Sequence, residues 1–320
     1  MKNYSLLIWG AFLFIFEILY IKIANYFNII DKPNERSLHS KVTIRGGGIV
    51  YWIAGLIYFY YYSDYSYPYF FLGFTCLVII SFIDDIVTVP NRYRLFTQFG
   101  ALVLLLCEVS FYTHYSYYWT LPIVIIGVGI LNAYNFMDGI NGITGTYSLV
   151  ILLTLTYINN YVFLFIEQGF PNITIISVLV FLIFNFRKKA ICFGGDVGSI
   201  GIAYILIFCV GHLIYLSHDW KYIFLFTIYG MDSIYTILYR LQLKQNIFKA
   251  HKLHLFQILV YSYNLSHLQV TILYAGVQLI LNIWIINQSA NRIIYYIPFL
   301  FLLGLMHIVR EKRQFGITIK

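Results

Sequence analysis

Apolar runs of helical length fill this chain, and short polar islands interrupt them. The runs predict about eleven membrane spans, over 4–24, 47–62, 69–83, 95–113, 119–137, 143–158, 172–186, 198–216, 220–240, 267–287 and 291–309. They leave no room for a separate soluble unit, so the expectation is one all-α, polytopic membrane domain covering 1–320. Lys2 followed by Leu6 to Tyr20 has the outline of a signal peptide. It lacks a small-residue cleavage site and is too long for a secretory core segment, so it reads as the first span.

Composition removes the soluble alternative. With 60% hydrophobic and 11% charged residues, and a mean hydropathy of +0.76, the chain has too little polar surface to cover itself in water. The net charge of +8 does not form a nucleic-acid stripe, because the cations alternate with the spans. Counting sides puts the connections 25–46, 84–94, 132–142, 187–197 and 241–266, with the tail after Val309, on one face. That face carries Lys32, Arg36, Lys41, Arg45, Arg92, Arg94, Arg187, Lys188, Lys189, Arg240, Lys244, Lys249, Lys252, Arg310, Lys312 and Arg313, against little beyond Lys2, Lys221 and Arg292 opposite. The positive-inside rule makes it cytoplasmic, with the N-terminus outside and the C-terminus inside. The four cysteines show no metal-ligand spacing and read as small hydrophobes.

Every polar island falls on that face. A carboxylate beside hydrocarbon is costly without a partner, so the acids in these islands are functional candidates. Asp84 and Asp85 end the third span. Adjacent helical positions point about 100° apart, so the two carboxylates take different jobs, as metal ligand or general base against pairing or capping. Asn135, Asp138 and Asn141 recur every third residue, which predicts a polar ladder along one side of a helix or helical entry. Mixed amides and acids suit a phosphosugar, donating to phosphate and accepting from hydroxyls. Asp196, within Gly194-Gly195-Asp196-Val197-Gly198-Ser199, stands at a helix start where it is a metal ligand or an N-cap. His251 and His254 lack a third zinc ligand nearby and read as phosphate or uridine contacts, or as interfacial histidines in a basic loop. The first cytoplasmic loop, from Asp31 to Gly48, joins cations to a glycine run and suits an anion.

The order of the islands resembles one family. The chain shows Asp-Lys-Pro-Asn-x-Arg-x-x-His from Asp31, then Arg45 with three glycines, then Asp84-Asp85, then Asn-x-x-Asn-x-x-Asp-Gly-x-Asn-Gly from Asn132, then Gly-Asp-x-Gly-Ser, then the histidine loop. In this order the motifs are similar to those of polyprenyl-phosphate N-acetylhexosamine-1-phosphate transferases, of the glycosyltransferase family 4 type. The resemblance implies an inner-membrane enzyme that moves a sugar-1-phosphate from a UDP-N-acetylhexosamine to undecaprenyl phosphate. UMP is released and a polyprenyl diphosphate sugar forms, with Mg²⁺ or Mn²⁺, as the first membrane step of O-antigen or another envelope glycan. It implies Asp84, Asp85 and Asp138 as catalytic and Asp196 and Asp85 as metal ligands. Arg36, His39, Arg45, Asn135, Asn141, His251 and His254 become the substrate contacts. Partners are then the donor, the lipid acceptor and membrane lipid, without nucleic acid, and a homodimer is compatible.

One departure bears on the sugar. Many relatives carry a His-x-His-His loop, whereas His251-Lys252-Leu253-His254-Leu255-Phe256-Gln257 looks more like the O-antigen-initiating form, associated with UDP-FucNAc or UDP-QuiNAc. UDP-GlcNAc remains open, and the muramyl-pentapeptide donor of peptidoglycan synthesis is the alternative. A secondary transporter is the competing class. Transporters place their acids near the midplane within related repeats, and here the acids in the islands sit at span ends with no repeat visible.

Overall fold

The computed structural model describes residues 3–33, 42–111, 115–246 and 251–288, together with 298, 300, 302–304 and 307–309. Eleven α-helices are described: α1 (Asn3–Tyr26), α2 (Ile49–Tyr61), α3 (Pro68–Ile86), α4 (Asn91–Glu108), α5 (Thr120–Met137), α6 (Ile143–Tyr161), α7 (Gly169–Asn185), α8 (Gly195–Ser217), α9 (Thr227–Gln242), α10 (Leu255–Tyr261) and α11 (His267–Asn287). Short 3-10 turns at Tyr117–Trp119 and Trp220–Phe226 lead into α5 and α9.

The protein is a polytopic, helical membrane protein. Six segments among the described residues are long and apolar enough to cross a bilayer: Ser5–Tyr26, Pro68–Ile86, Tyr117–Met137, Gly195–Ser217, Trp220–Gln242 and His267–Asn287. α2 and α7 are apolar but shorter. Each of the first ten expected spans coincides with a described helix, and 291–309 lies mostly outside the described residues. The expectation missed α10, a helix of 7 residues inside a polar connection.

α8 is the axis of the bundle. It is apolar on every face and almost wholly buried, as a helix surrounded by other helices must be. α2, α3, α5 and α6 pack around it, with α4 outside α3 and α11 against α6. On α3 Phe70 stacks on Phe208 of α8 at 4.3 Å between ring centroids, and Tyr204 Oη donates to the Ala101 carbonyl of α4 at 2.8 Å. Across the opposite flank Tyr147 of α6 stacks on Tyr229 of α9 at 3.8 Å. There Tyr147 Oη also donates to Gln278 Oε1 of α11 at 2.8 Å. Hydrogen bonds of this kind hold helices together where no hydrophobic contrast with the surroundings can do so.

A small β-element ties two of the polar connections together. Strands β1 (Ile30–Asp31) and β2 (Thr43–Ile44) pair antiparallel, and Ile44 also bridges Cys192 in parallel. Phe193 N–H donates to the Ile44 carbonyl at 2.8 Å, Gly47 N–H to the Phe193 carbonyl at 2.9 Å and Gly48 N–H to the Gly194 carbonyl at 3.0 Å. The connection before α2 is thereby laced to the connection before α8.

Candidate active site

Five side chains from four segments form a chain of alternating charge at one end of the bundle. Arg45 Nε meets Asp85 Oδ1 at 2.6 Å and its Nη2 meets Asp196 Oδ1 at 2.8 Å. Arg94 Nη2 meets Asp196 Oδ2 at 2.8 Å and its Nη1 meets Asp84 Oδ2 at 2.9 Å. The order is Asp85, Arg45, Asp196, Arg94, Asp84. Fork-shaped guanidiniums suit this role because one group can serve two carboxylates at once.

Local structure explains each position. Asp84 and Asp85 lie in the last turn of α3, where the two carboxylates take different partners, Arg94 and Arg45. Asp85 is buried and also accepts the N–H groups of Asp196 and Val197 at 2.9 and 3.1 Å, so it closes the N-terminus of α8. Asp84 accepts the Val89 N–H at 2.7 Å and shapes the turn into α4. Arg94 lies in the first turn of α4, whereas Arg92 stacks on Tyr93 at 4.8 Å, away from the acids.

Arg45 is held from behind by Tyr20, whose hydroxyl donates to the Arg45 carbonyl at 2.7 Å. Burial works against the charge of Arg45, yet Asp85 and Asp196 hold its proton more tightly than a free guanidinium holds its own.

Glycines permit this crossing. Gly46 and Gly195 both have positive φ, at +88° and +72°, and a β-carbon on Gly195 would meet Asp85 Oδ2 at 2.3 Å.

The polar ladder is a correction. α5 stops at Met137, so Asn135 lies in its last turn, Asp138 caps it, and Asn141 sits in the turn before α6. Asn135 Nδ2 donates to Ser199 Oγ of α8 at 3.1 Å, on the site side. Asn141 is buried and donates to the Arg187 carbonyl at 2.7 Å, while its own carbonyl accepts from Thr271 at 2.9 Å. It braces three segments, and its side-chain nitrogen is engaged by the Arg187 and Lys188 carbonyls. Asp138 lies beside Gly194, where a β-carbon would come within 3.2 Å of its Oδ2. Burial pushes the Asp138 carboxyl up to about 6, with the Thr144 hydroxyl pulling down and the charge of Asp196 pushing up.

The histidine loop reaches the same end. His254 is buried at the start of α10, with ring centroids 5.0 Å from His251 and 5.8 Å from Phe256. Phe256 packs on the turn after Asp138, where a β-carbon on Gly139 would meet its ring at 2.8 Å. Arg36 and His39 lie outside the described residues.

Sequence reasoning missed Arg94 in the charge chain and two buried acids outside it. Arg94 could not be told from Arg92 without the register of α4. Glu17 and Asp232 are single acids inside apolar spans, fully buried. Both are carboxyls set beside hydrocarbon, the same signal that singles out the acids of the islands.

Whether these residues suit a divalent cation follows from the acids themselves. Asp84 and Asp196 share Arg94 and stand within hydrogen-bonding reach of each other. Two carboxylates so close need a proton or a cation between them, and hard oxygen donors of this sort fit Mg²⁺, which usually takes one or two from protein. Asp85 fits less well, because Arg45 and two backbone N–H groups already occupy it. No group of three metal-binding side chains is assembled among the described residues.

The model of glycosyl transferase family 4 matches residues 67–214, which include Asp84, Asp85, Arg94, Asp138 and Asp196. The chain is 25% identical over 269 residues to the Bacillus subtilis (strain 168) protein named "Probable undecaprenyl-phosphate N-acetylglucosaminyl 1-phosphate transferase", covering 77% of this chain and 73% of that one. It is 28% identical over 162 residues to the undecaprenyl-phosphate alpha-N-acetylglucosaminyl 1-phosphate transferase of Yersinia pestis, covering 46% of this chain and 43% of that one. Over residues 67–214 the chain is thus similar to glycosyl transferase family 4, and it is a distant homologue of undecaprenyl-phosphate N-acetylglucosaminyl 1-phosphate transferases.

Proposed function

We propose that this protein transfers N-acetylhexosamine-1-phosphate from a UDP-sugar to undecaprenyl phosphate at the cytoplasmic face of the inner membrane. The reading assumes one domain of about eleven crossings with the N-terminus outside, which the alternation of Lys and Arg supports. The observation that carries it is the alternating chain of Asp85, Arg45, Asp196, Arg94 and Asp84 at the bundle end. Such a centre suits a reaction in which two anions meet and charge shifts between phosphate oxygens.

An oxygen of the lipid phosphate attacks the sugar-bearing phosphorus of the donor. The bond from that phosphorus to the oxygen bridging the two donor phosphates breaks, and UMP leaves with the electron pair. Arg45 and Arg94 neutralise the phosphates and orient the diphosphate. Asp138, with its raised affinity for protons, accepts the proton of a singly ionised lipid phosphate. Asp84 and Asp196 would hold Mg²⁺, which supplies further charge neutralisation at the diphosphate. His251 and His254 close over the donor side.

Two observations bear on the sugar and favour different donors. Both relatives are named for N-acetylglucosamine, which supports UDP-GlcNAc. The His251-Lys252-Leu253-His254 loop supports a 6-deoxy sugar such as UDP-FucNAc or UDP-QuiNAc. The test is membranes containing the protein, given undecaprenyl phosphate and one radiolabelled UDP-sugar at a time. Lipid-linked product with an N-acetylhexosamine donor, lost on chelation of divalent metal, is the expected result. Preferred use of UDP-MurNAc-pentapeptide would refute the substrate class, and absence of product with every donor would refute the enzyme.

A further inference from the structure

Asp232 is a buried acid on α9 that neither the island pattern nor the alternating charge chain includes. Four donors converge on it. The Leu255 and Phe256 N–H groups reach it at 2.8 and 3.4 Å, Tyr274 Oη at 2.8 Å and Thr236 Oγ1 at 3.2 Å. The first two are N–H groups at the start of α10, the third comes from α11, and the fourth lies one turn along α9. Asp232 Oδ1 also faces His254 Nδ1 at 3.5 Å. The helix that follows His254 begins with Leu255 and Phe256, and Phe256 supports the turn carrying Asp138.

We infer that Asp232 is a positioning residue that orients His254 toward the phosphates of the donor, an inference that rests on the transferase reading. A carboxylate at Nδ1 fixes that nitrogen as the one carrying hydrogen toward Asp232 and leaves Nε2 for the ligand, the arrangement by which an acid sets the tautomer and direction of a working imidazole. His251 turns its Nδ1 to the Leu253 N–H at 3.3 Å and so belongs to the fold of the loop. The separation of 3.5 Å between Asp232 and His254 is long for a charge-assisted bond, and such contacts tighten when substrate binds. A purely structural acid would serve the backbone of α10 without regard to the histidine.

The test is a double-mutant cycle in purified enzyme, comparing the parent, Asp232→Asn, His254→Ala and the pair, with kcat and KM for each substrate and a thermal midpoint. Asn retains an oxygen for the Leu255 N–H and removes the charge. The expected result is that Asp232→Asn raises donor KM about tenfold or more, the scale of one hydrogen bond to a charged group, with polyprenyl-phosphate KM within about twofold of the parent. Added to His254→Ala it should change donor KM by less than about threefold, because its target is gone. Equal factors in both backgrounds, or an unchanged donor KM in the single variant, would overturn the inference. Should Asp232→Asn not accumulate, Asp232→Glu takes its place in the cycle under the same criteria. A parent enzyme inactive with every UDP-N-acetylhexosamine overturns the transferase reading instead, and that outcome is visible before any variant is made.

Discussion

Gly48 and Gly198 cross so closely that a β-carbon on Gly48 would lie 2.0 Å from the Gly198 Cα. No side chain can swing aside there, because both faces are backbone. Alanine at Gly48 therefore forces the connection that carries Arg45 away from the start of α8. We expect Gly48→Ala to cost at least about 1–3 kcal/mol and most of the activity. Gly129→Ala, where nothing stands within 4 Å, should be neutral. Thermal midpoints in detergent check both, and an active Gly48→Ala enzyme of normal stability would contradict the crossing.

The three acids of the charge chain should not respond alike. Asp196 joins both arginines, so Asp196→Asn breaks the chain at its centre and should lower turnover at least about a hundredfold. Asp85→Asn should match it. In Asp84→Asn the side-chain oxygen still accepts the Val89 N–H, so the turn into α4 survives, and because the amide oxygen can still serve beside Asp196 as a neutral metal donor the expected loss is smaller. Protein yield should stay near normal in all three. A larger loss in Asp84→Asn than in Asp196→Asn would reverse this order of importance.

Asp138 predicts a pH dependence with a defined sign. Its carboxyl is raised to about 6 in the folded protein, so below that value it carries a proton and cannot accept another. Activity should rise through a limb centred near pH 6. Folding stability moves the other way. A group with a raised folded value contributes stability that is fully present below its unfolded value and is lost as pH passes about 6. Asp138→Asn should therefore lose less stability than the parent between about pH 4 and 7. A flat rate profile from about pH 5 to 8 would show that Asp138 does not set the limb.

Orientation in the membrane is checked by single cysteines and a reagent that cannot cross it. Cysteines at Asn91 and Lys189 should be shielded from outside, and those at Ser66 and Asn160 should label. Outside labelling at Asn91 would separate Asp84 and Asp85 from any cytoplasmic nucleotide.

Glu17 offers a prediction about stability alone. It is fully buried in α1, and neither carboxyl oxygen has a hydrogen-bond partner among the described residues. A buried polar group without a partner costs about 1–3 kcal/mol. Glu17→Met, of similar volume, should raise the thermal midpoint. A fall in the midpoint would show that the carboxyl has a partner, such as a buried water.

The helices were legible because apolar runs of spanning length leave no other solution, and Asp84, Asp138 and Asp196 were legible because acids at the ends of such runs need a reason. What escaped was decided by geometry across segments. Arg94 and Arg92 differ only by their angle on α4. Asn141 reads as a ligand group until the turn places it against the carbonyl of Arg187. Asp232 lies inside an apolar run, and its meaning appears only when α10 begins upon it. The pairing of residues 46–48 with 193–198 involves glycines with no side chain to betray it.

Because Asp196 is held from both sides by guanidiniums, the idle centre neutralises most of its own charge. On the proposed reading, a cation taken up by Asp196 would displace one of its arginines, and that arginine would then be available to a phosphate. Occupation by metal and readiness for an anion would then be one exchange of partners, and between turnovers the centre would stand with nothing bound and nothing strongly repelled.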